Sequence, residues 1–123
     1  GNNMIAYCFA PVEGFSKFGS YTGNGSTDGP FVYTGFRPAF VMAKRRDATG
    51  SWIIIDSSRS LYNATNVFLN PNTNVAEGST SEYYDLLSNG FKLRHAGGAV
   101  NASNGTYIYM AFAENPFKNS LAR

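Results

Sequence analysis

The residues best suited to hydrolytic chemistry in this chain are its eight acids and its single histidine. A nucleophilic triad needs an imidazole beside a hydroxyl or thiol, with a third group to orient it. His95 stands in Arg94-His95-Ala96-Gly97-Gly98, where a turn or strand end is expected. No companion motif accompanies it, and a histidine so placed is ordinarily a surface or structural residue. No Gly-x-Ser-x-Gly elbow, phosphate-cradling loop or dinucleotide fingerprint occurs. Glycoside hydrolysis requires two carboxyl groups about 5 to 10 Å apart, and no pair stands out by spacing. Asp56 ends a buried-looking run, but with Arg59 three residues on, an ion pair or an Asx-type turn is the simpler reading. Asn24, Ser26 and Asp28 alternate like calcium ligands, yet a single carboxylate falls short of the oxygen set calcium takes. A Gly-rich turn is expected there. No catalytic residue, metal site or cofactor is therefore expected.

Sugar binding asks for less. It needs exposed aromatic faces for the apolar side of a pyranose, with amides, acids or arginines for the hydroxyls. Tyr21, Tyr33, Trp52, Tyr62, Tyr83 and Tyr84 lie near polar stretches rich in Asn and Ser. For each ring taken singly, the competing role is to plug the edge of a β-structure. If a binding face exists, the residues expected on it are Tyr33, Trp52, Arg59 and Tyr62.

The elements that would hold these side chains follow from composition and turn chemistry. The chain has 123 residues, 43% hydrophobic and 15% charged, with Asn, Ser, Thr and Gly filling the gap left by charge. Short strands joined by polar turns suit that balance better than long helices do. A net charge of +2 is scattered, and its one cluster, Lys44-Arg45-Arg46, is followed at once by Asp47. Nucleic acid is not an expected partner. No apolar run reaches the ~20 residues that span a bilayer, and no signal-peptide pattern opens the chain. Cys8 is the single cysteine, which excludes an internal disulfide and multi-cysteine zinc sites. Its place in the apolar run of residues 4–10 suggests a small buried hydrophobe. Four Asn-x-Ser/Thr sequons, at Asn24, Asn63, Asn101 and Asn104, fit an Asn-rich surface.

Strand-like runs recur at residues 4–10, 16–22, 39–44, 52–56 and 106–113. Residues 39–44 and 52–56 flank a polar stretch with Gly50, the pattern of a hairpin. Ile53, Ile54 and Ile55 in succession favour a strand buried on both faces. Asn89-Gly90 and Asn104-Gly105 predict type I′ turns, with both residues at positive φ. After the first, Phe91 and Leu93 alternate with Lys92 and Arg94, as in a half-buried strand. Residues 63–81 read as a long polar excursion with one short strand around Val67-Phe68-Leu69. Residues 79–87 are the best candidate for a helix, though their Tyr-Tyr pair suits a strand equally. The expected fold is an all-β antiparallel sandwich of about 7 to 8 short strands.

Ile5-Ala6-Tyr7-Cys8-Phe9-Ala10 echoes Ile108-Tyr109-Met110-Ala111-Phe112-Ala113 in its first residue and its final Phe-Ala. Two core strands of shared composition would explain this. So would tandem modules in a parent protein, where the closing strand of one resembles the strand that opens the next.

The same opening residues, continuing through Gly14-Phe15-Ser16-Lys17-Phe18-Gly19-Ser20-Tyr21-Thr22-Gly23-Asn24-Gly25, resemble a domain found in bacteriophage tail and other virion proteins. Gly35-Phe36-Arg37-Pro38-Ala39-Phe40-Val41-Met42 and the closing run from Tyr107 to Lys118 are similar to that domain too. The resemblance covers nearly the whole chain, and residues 63–81 match least well. Such domains often accompany concanavalin-like (LamG-type) sandwich modules in long phage proteins. This implies a jelly-roll or concanavalin-like sandwich over residues 1–123, one module of a longer protein, exposed on a virion. Its implied partners are other tail subunits and a host-surface glycan, with no membrane insertion. Fibre proteins are commonly trimers, so a homo-oligomer fits the resemblance, although no residue pattern encodes one. The resemblance carries no catalytic residues. A stand-alone carbohydrate-binding or polysaccharide-depolymerising domain is the alternative.

Overall fold

Period-two alternation dictates where this chain extends, and the computed structural model, which describes residues 1–117, contains eight strands and no helix among them. They are β1 (Ser16–Thr22), β2 (Phe31–Tyr33), β3 (Pro38–Arg45), β4 (Ile53–Asp56), β5 (Thr65–Phe68), β6 (Gly78–Leu87), β7 (Gly90–Leu93) and β8 (Thr106–Ala113). Two four-stranded antiparallel sheets, ordered β1-β8-β3-β4 and β2-β7-β6-β5, pack face to face as a β-sandwich. The first strand pairs with the last in one sheet, and the second with the second-last in the other. The paired amides of Ile54 and Leu69 stitch the two sheets together at the β4–β5 edge.

The first sheet turns Val41, Ala43, Ile53, Ile55, Tyr107 and Tyr109 inward, and the second answers with Val32, Tyr84, Leu86, Phe91 and Leu93. Phe91 and Leu93 are fully buried while Lys92 between them is not, as their alternation requires. Residues 39–44 and 52–56 do form a hairpin, with Val41 opposite Ile55. Ile53 and Ile55 enter the core, but Ile54 lies on the outer face and is only half-buried. Residues 79–87 belong to the longest strand, β6, rather than to a helix. The short edge strand β2 has no counterpart among the expected runs.

Two local expectations are corrected. Residues 4–10 form no strand, and Cys8, expected in the core, is exposed. Neither Asn89 nor Gly90 has positive φ, so the β6–β7 turn is not type I′. Asn104 does, at φ 57°, but it sits in an Ala102–Gly105 turn that joins strands of different sheets. The outer aromatic face of the first sheet is also unforeseen. Phe15, Phe18 and Phe40 each contact Phe112 with ring centroids 5.9 to 6.0 Å apart.

At the centre of the core the Tyr21 ring stacks on Tyr107 at 5.0 Å, and its hydroxyl donates to the Val100 carbonyl at 2.8 Å. Tyr84 is fully buried, and its hydroxyl has no hydrogen-bond partner among the described residues. Burial pushes both hydroxyls well above the ordinary phenol range. A buried polar atom without a partner costs about 1 to 3 kcal/mol. Tyr84→Phe is therefore expected to be neutral or to stabilise the fold by about 1 kcal/mol, read as a raised urea midpoint at unchanged m. A clear loss of stability would mean that the hydroxyl is bonded after all.

Candidate functional site

Turns at one end of the sandwich build a concavity that carries an exposed ring and several polar groups. Before β1, Phe15 and Ser16 both donate to the Val12 carbonyl at 2.9 Å, and Val12 donates to the Ser16 hydroxyl at 3.1 Å. This closes a tight turn whose Gly14 sits at φ 75°. Facing it is the β2–β3 connection, where Thr34 and Gly35 donate to the Asn89 carbonyl at 3.0 and 3.2 Å. The Thr34 hydroxyl donates to the Phe36 carbonyl at 2.7 Å, and Gly35 takes φ 84°, a conformation that favours glycine. The first turn is thus held by its own hydrogen bonds, and the second by one of its own and two to the β6–β7 turn.

Two adjoining depressions of about 370 Å³ each lie between these turns, with Glu13, Gly14 and Gly35 in the walls of both. Tyr33 and Lys17 border one, and Arg37, Glu114 and Asn115 border the other. Arg37 reaches Glu114 at 2.9 Å, and the Glu114 amide returns a bond to the Arg37 carbonyl at 2.9 Å. Tyr33 is 64% exposed. A ring face and Glu13 therefore border one depression, and Glu13, Glu114, a guanidinium and an amide border the one beside it, together forming a groove in two parts at the sandwich end.

The four sequence-predicted residues do not share this groove. Tyr33 is on it. Trp52 instead lines an apolar groove of about 670 Å³ on the outer face of the first sheet, with Phe18, Met42 and Ile108. Arg59 and Tyr62 border a third depression in the β4–β5 loop. Arg59 pairs there with Asp56 and, at 2.8 Å, with Glu77. The Asp56 carboxylate also accepts the Ser58 and Arg59 amides at 3.0 and 2.8 Å, so the ion pair and the Asx turn are both present. Tyr21, Tyr83 and Tyr84 are buried and offer no face to a sugar. Glu13, Arg37, Glu114 and Asn115 were not legible as site residues. They come from distant segments, and the resemblance marked the runs of Arg37, Glu114 and Asn115, though not Glu13, without assigning roles.

The remaining chemistry-bearing groups are occupied by the fold. His95 stacks on Tyr83 at 4.7 Å, and its Nδ1 accepts the Gly97 amide at 2.9 Å. The Asn24 side-chain oxygen accepts the Ser26 amide at 3.0 Å, and Ser26 Oγ accepts the Asp28 amide at 3.1 Å. Lys92 lies 2.7 Å from Asp28 and, as its bonding partner, holds that carboxyl below the usual range. Arg45 does the same to Asp47 at 2.8 Å. Among the described residues no three His, Cys, Asp or Glu side chains converge as a metal site would require, and no helix is long and apolar enough to cross a membrane.

Residues 1–116 match the family model of a domain of unknown function (DUF7483), and the chain belongs to that family. No curated protein and no solved structure matches it.

Proposed function

We propose that this DUF7483 domain is a structural and adhesive module of a bacteriophage tail fibre or another virion-associated protein, touching host-surface glycan through the groove beside Tyr33. The observation that carries the reading is the exposed Tyr33 ring sharing a depression with Glu13, beside a second depression that Glu13 shares with Arg37 and Glu114, on turns fixed by hydrogen bonds. A ring face gives a pyranose its apolar contact, and preset polar groups give its hydroxyls partners without an ordering cost. The virion setting is what the resemblance of the opening, middle and closing motifs implies. Other tail subunits are the expected protein partners.

Tyr33→Ala tests the adhesive half. Its glycan affinity, measured by array and calorimetry, is expected to fall at least about 10-fold, the loss of roughly 1.4 kcal/mol. The melting temperature should stay within about 2 °C, since Tyr33 lies on a short edge strand. Unchanged affinity with an intact fold removes this groove. Particles that lack the domain yet adsorb as well as intact ones remove the adhesin role.

One observation favours a depolymerising domain: Glu13 and Glu114 line the same depression. Paired carboxylates are what glycoside cleavage uses, although Glu114 is already engaged by Arg37. Glycan cleavage lost in Glu13→Gln with binding retained would install that reading. Glycans bound and left intact by the native chain would remove it.

A further inference from the structure

An extended apolar segment whose backbone is unpaired is a strand without a sheet. Residues 1–10 are exposed throughout, with Met4 at 89%, Ile5 at 82% and Tyr7 at 81%. No backbone hydrogen bond joins residues 1–11 to the other described residues. Tyr7 and Phe9 lie along the apolar groove on the first sheet, and Phe9 stacks on Phe18 at 5.3 Å yet remains 56% exposed.

The likeness of residues 5–10 to β8 goes deeper than shared end residues. In β8, Tyr109 and Ala111 face the core, while Ile108, Met110 and Phe112 lie on the outer face. Ile5, Tyr7 and Phe9 are large at the three outer places, and Cys8 and Ala10 are small where Ala111 and Ala113 are small. Ala6 in place of Tyr109 is the one departure in size. A side-chain pattern of this kind is what a strand's place in a sheet selects. We propose that residues 5–10 are the closing strand of a preceding sandwich module of the same family in the parent polypeptide, filling there the place that β8 fills here. That place is central, since β8 is paired by β1 on one side and β3 on the other. Cys8 takes the position of the fully buried Ala111, and residues 11–15 become the link between modules. The inference is independent of any glycan.

Cys8 reports on it. The 123-residue chain and the same chain carrying its natural upstream polypeptide are compared by iodoacetamide labelling of the Cys8 peptide and by hydrogen exchange of residues 5–10. Labelling is expected to be prompt in the shorter protein and slowed at least about 100-fold in the longer one, with the amides protected. Equal reactivity in the two, or an upstream sequence without such a module, overturns the proposal. Deleting residues 1–10 from the 123-residue chain is expected to leave its melting temperature within about 2 °C. A larger fall would assign the segment to this module's own core and would equally overturn the proposal.

Discussion

Gly90→Ala is expected to destabilise the sandwich by about 3 kcal/mol and to lower the melting temperature by on the order of 10 °C. A β-carbon at this position would lie 2.1 Å from the Val32 carbonyl oxygen and 2.8 Å from the Phe31 ring. The obstacle is backbone, so no rotamer change relieves it. β2 must move off β7, and the pairs Val32–Phe91 and Tyr33–Gly90 go with it. Gly50 is the matched control. Nothing lies within 4 Å of its missing side chain, so Gly50→Ala should stay within about 0.5 kcal/mol. Equal melting curves for the two variants would remove the close-approach explanation. Because β2 carries Tyr33, the Gly90 variant should also weaken any ligand bound beside that ring.

Asn101→Ala is the second large effect, expected at about 2 to 4 kcal/mol in denaturant unfolding. Asn101 is fully buried. Its side-chain oxygen accepts the Asn24 amide at 2.9 Å, and its nitrogen donates to the Asn24 side chain at 3.1 Å and the Ser26 carbonyl at 2.7 Å. One amide thus ties the Gly-rich β1–β2 loop to the turn before β8. Truncation orphans partners on both sides. Asp at this position keeps the acceptor but loses both donations and introduces a buried charge, so it should be no milder. Hydrogen exchange localises the outcome: faster exchange at residues 23–29 is expected, and an unchanged loop would contradict the pinning role.

Side-chain alternation made much of this fold legible. Phe91 and Leu93 against Lys92 and Arg94 placed β7, and the runs on either side of Gly50 placed the β3–β4 hairpin. What escaped depends on groups far apart in the chain. Asn89-Gly90 looked like a primed turn, whereas the glycine is demanded by Val32 on another strand. The apolar run around Cys8 read locally as a buried strand, yet it pairs with no strand among the described residues and lies exposed. The Asn-rich excursion follows the same rule. Asn63 exchanges two hydrogen bonds with Leu86, and Asn70 and Asn72 bind the Trp52 carbonyl and amide. These amides stand in for backbone where the ladder is irregular, which composition reads merely as polar surface. The exposure of Tyr33 could be anticipated because a ring near polar loops is a local signal. Arg37 and Glu114 meet across 77 positions of sequence, and no local pattern marks that meeting.

The central place of β8 also bears on how the chain is made. Synthesis runs from Ser16 toward Phe112, and these two residues face each other in the finished sheet. Until β8 leaves the ribosome, β1 has no neighbour, and the β3–β4 hairpin lacks the strand that joins it to β1. Such late, long-range closure belongs to the slow end of folding, milliseconds to seconds. A chain cut short before Thr106 lacks the one strand that pairs with both β1 and β3, so it cannot complete the first sheet.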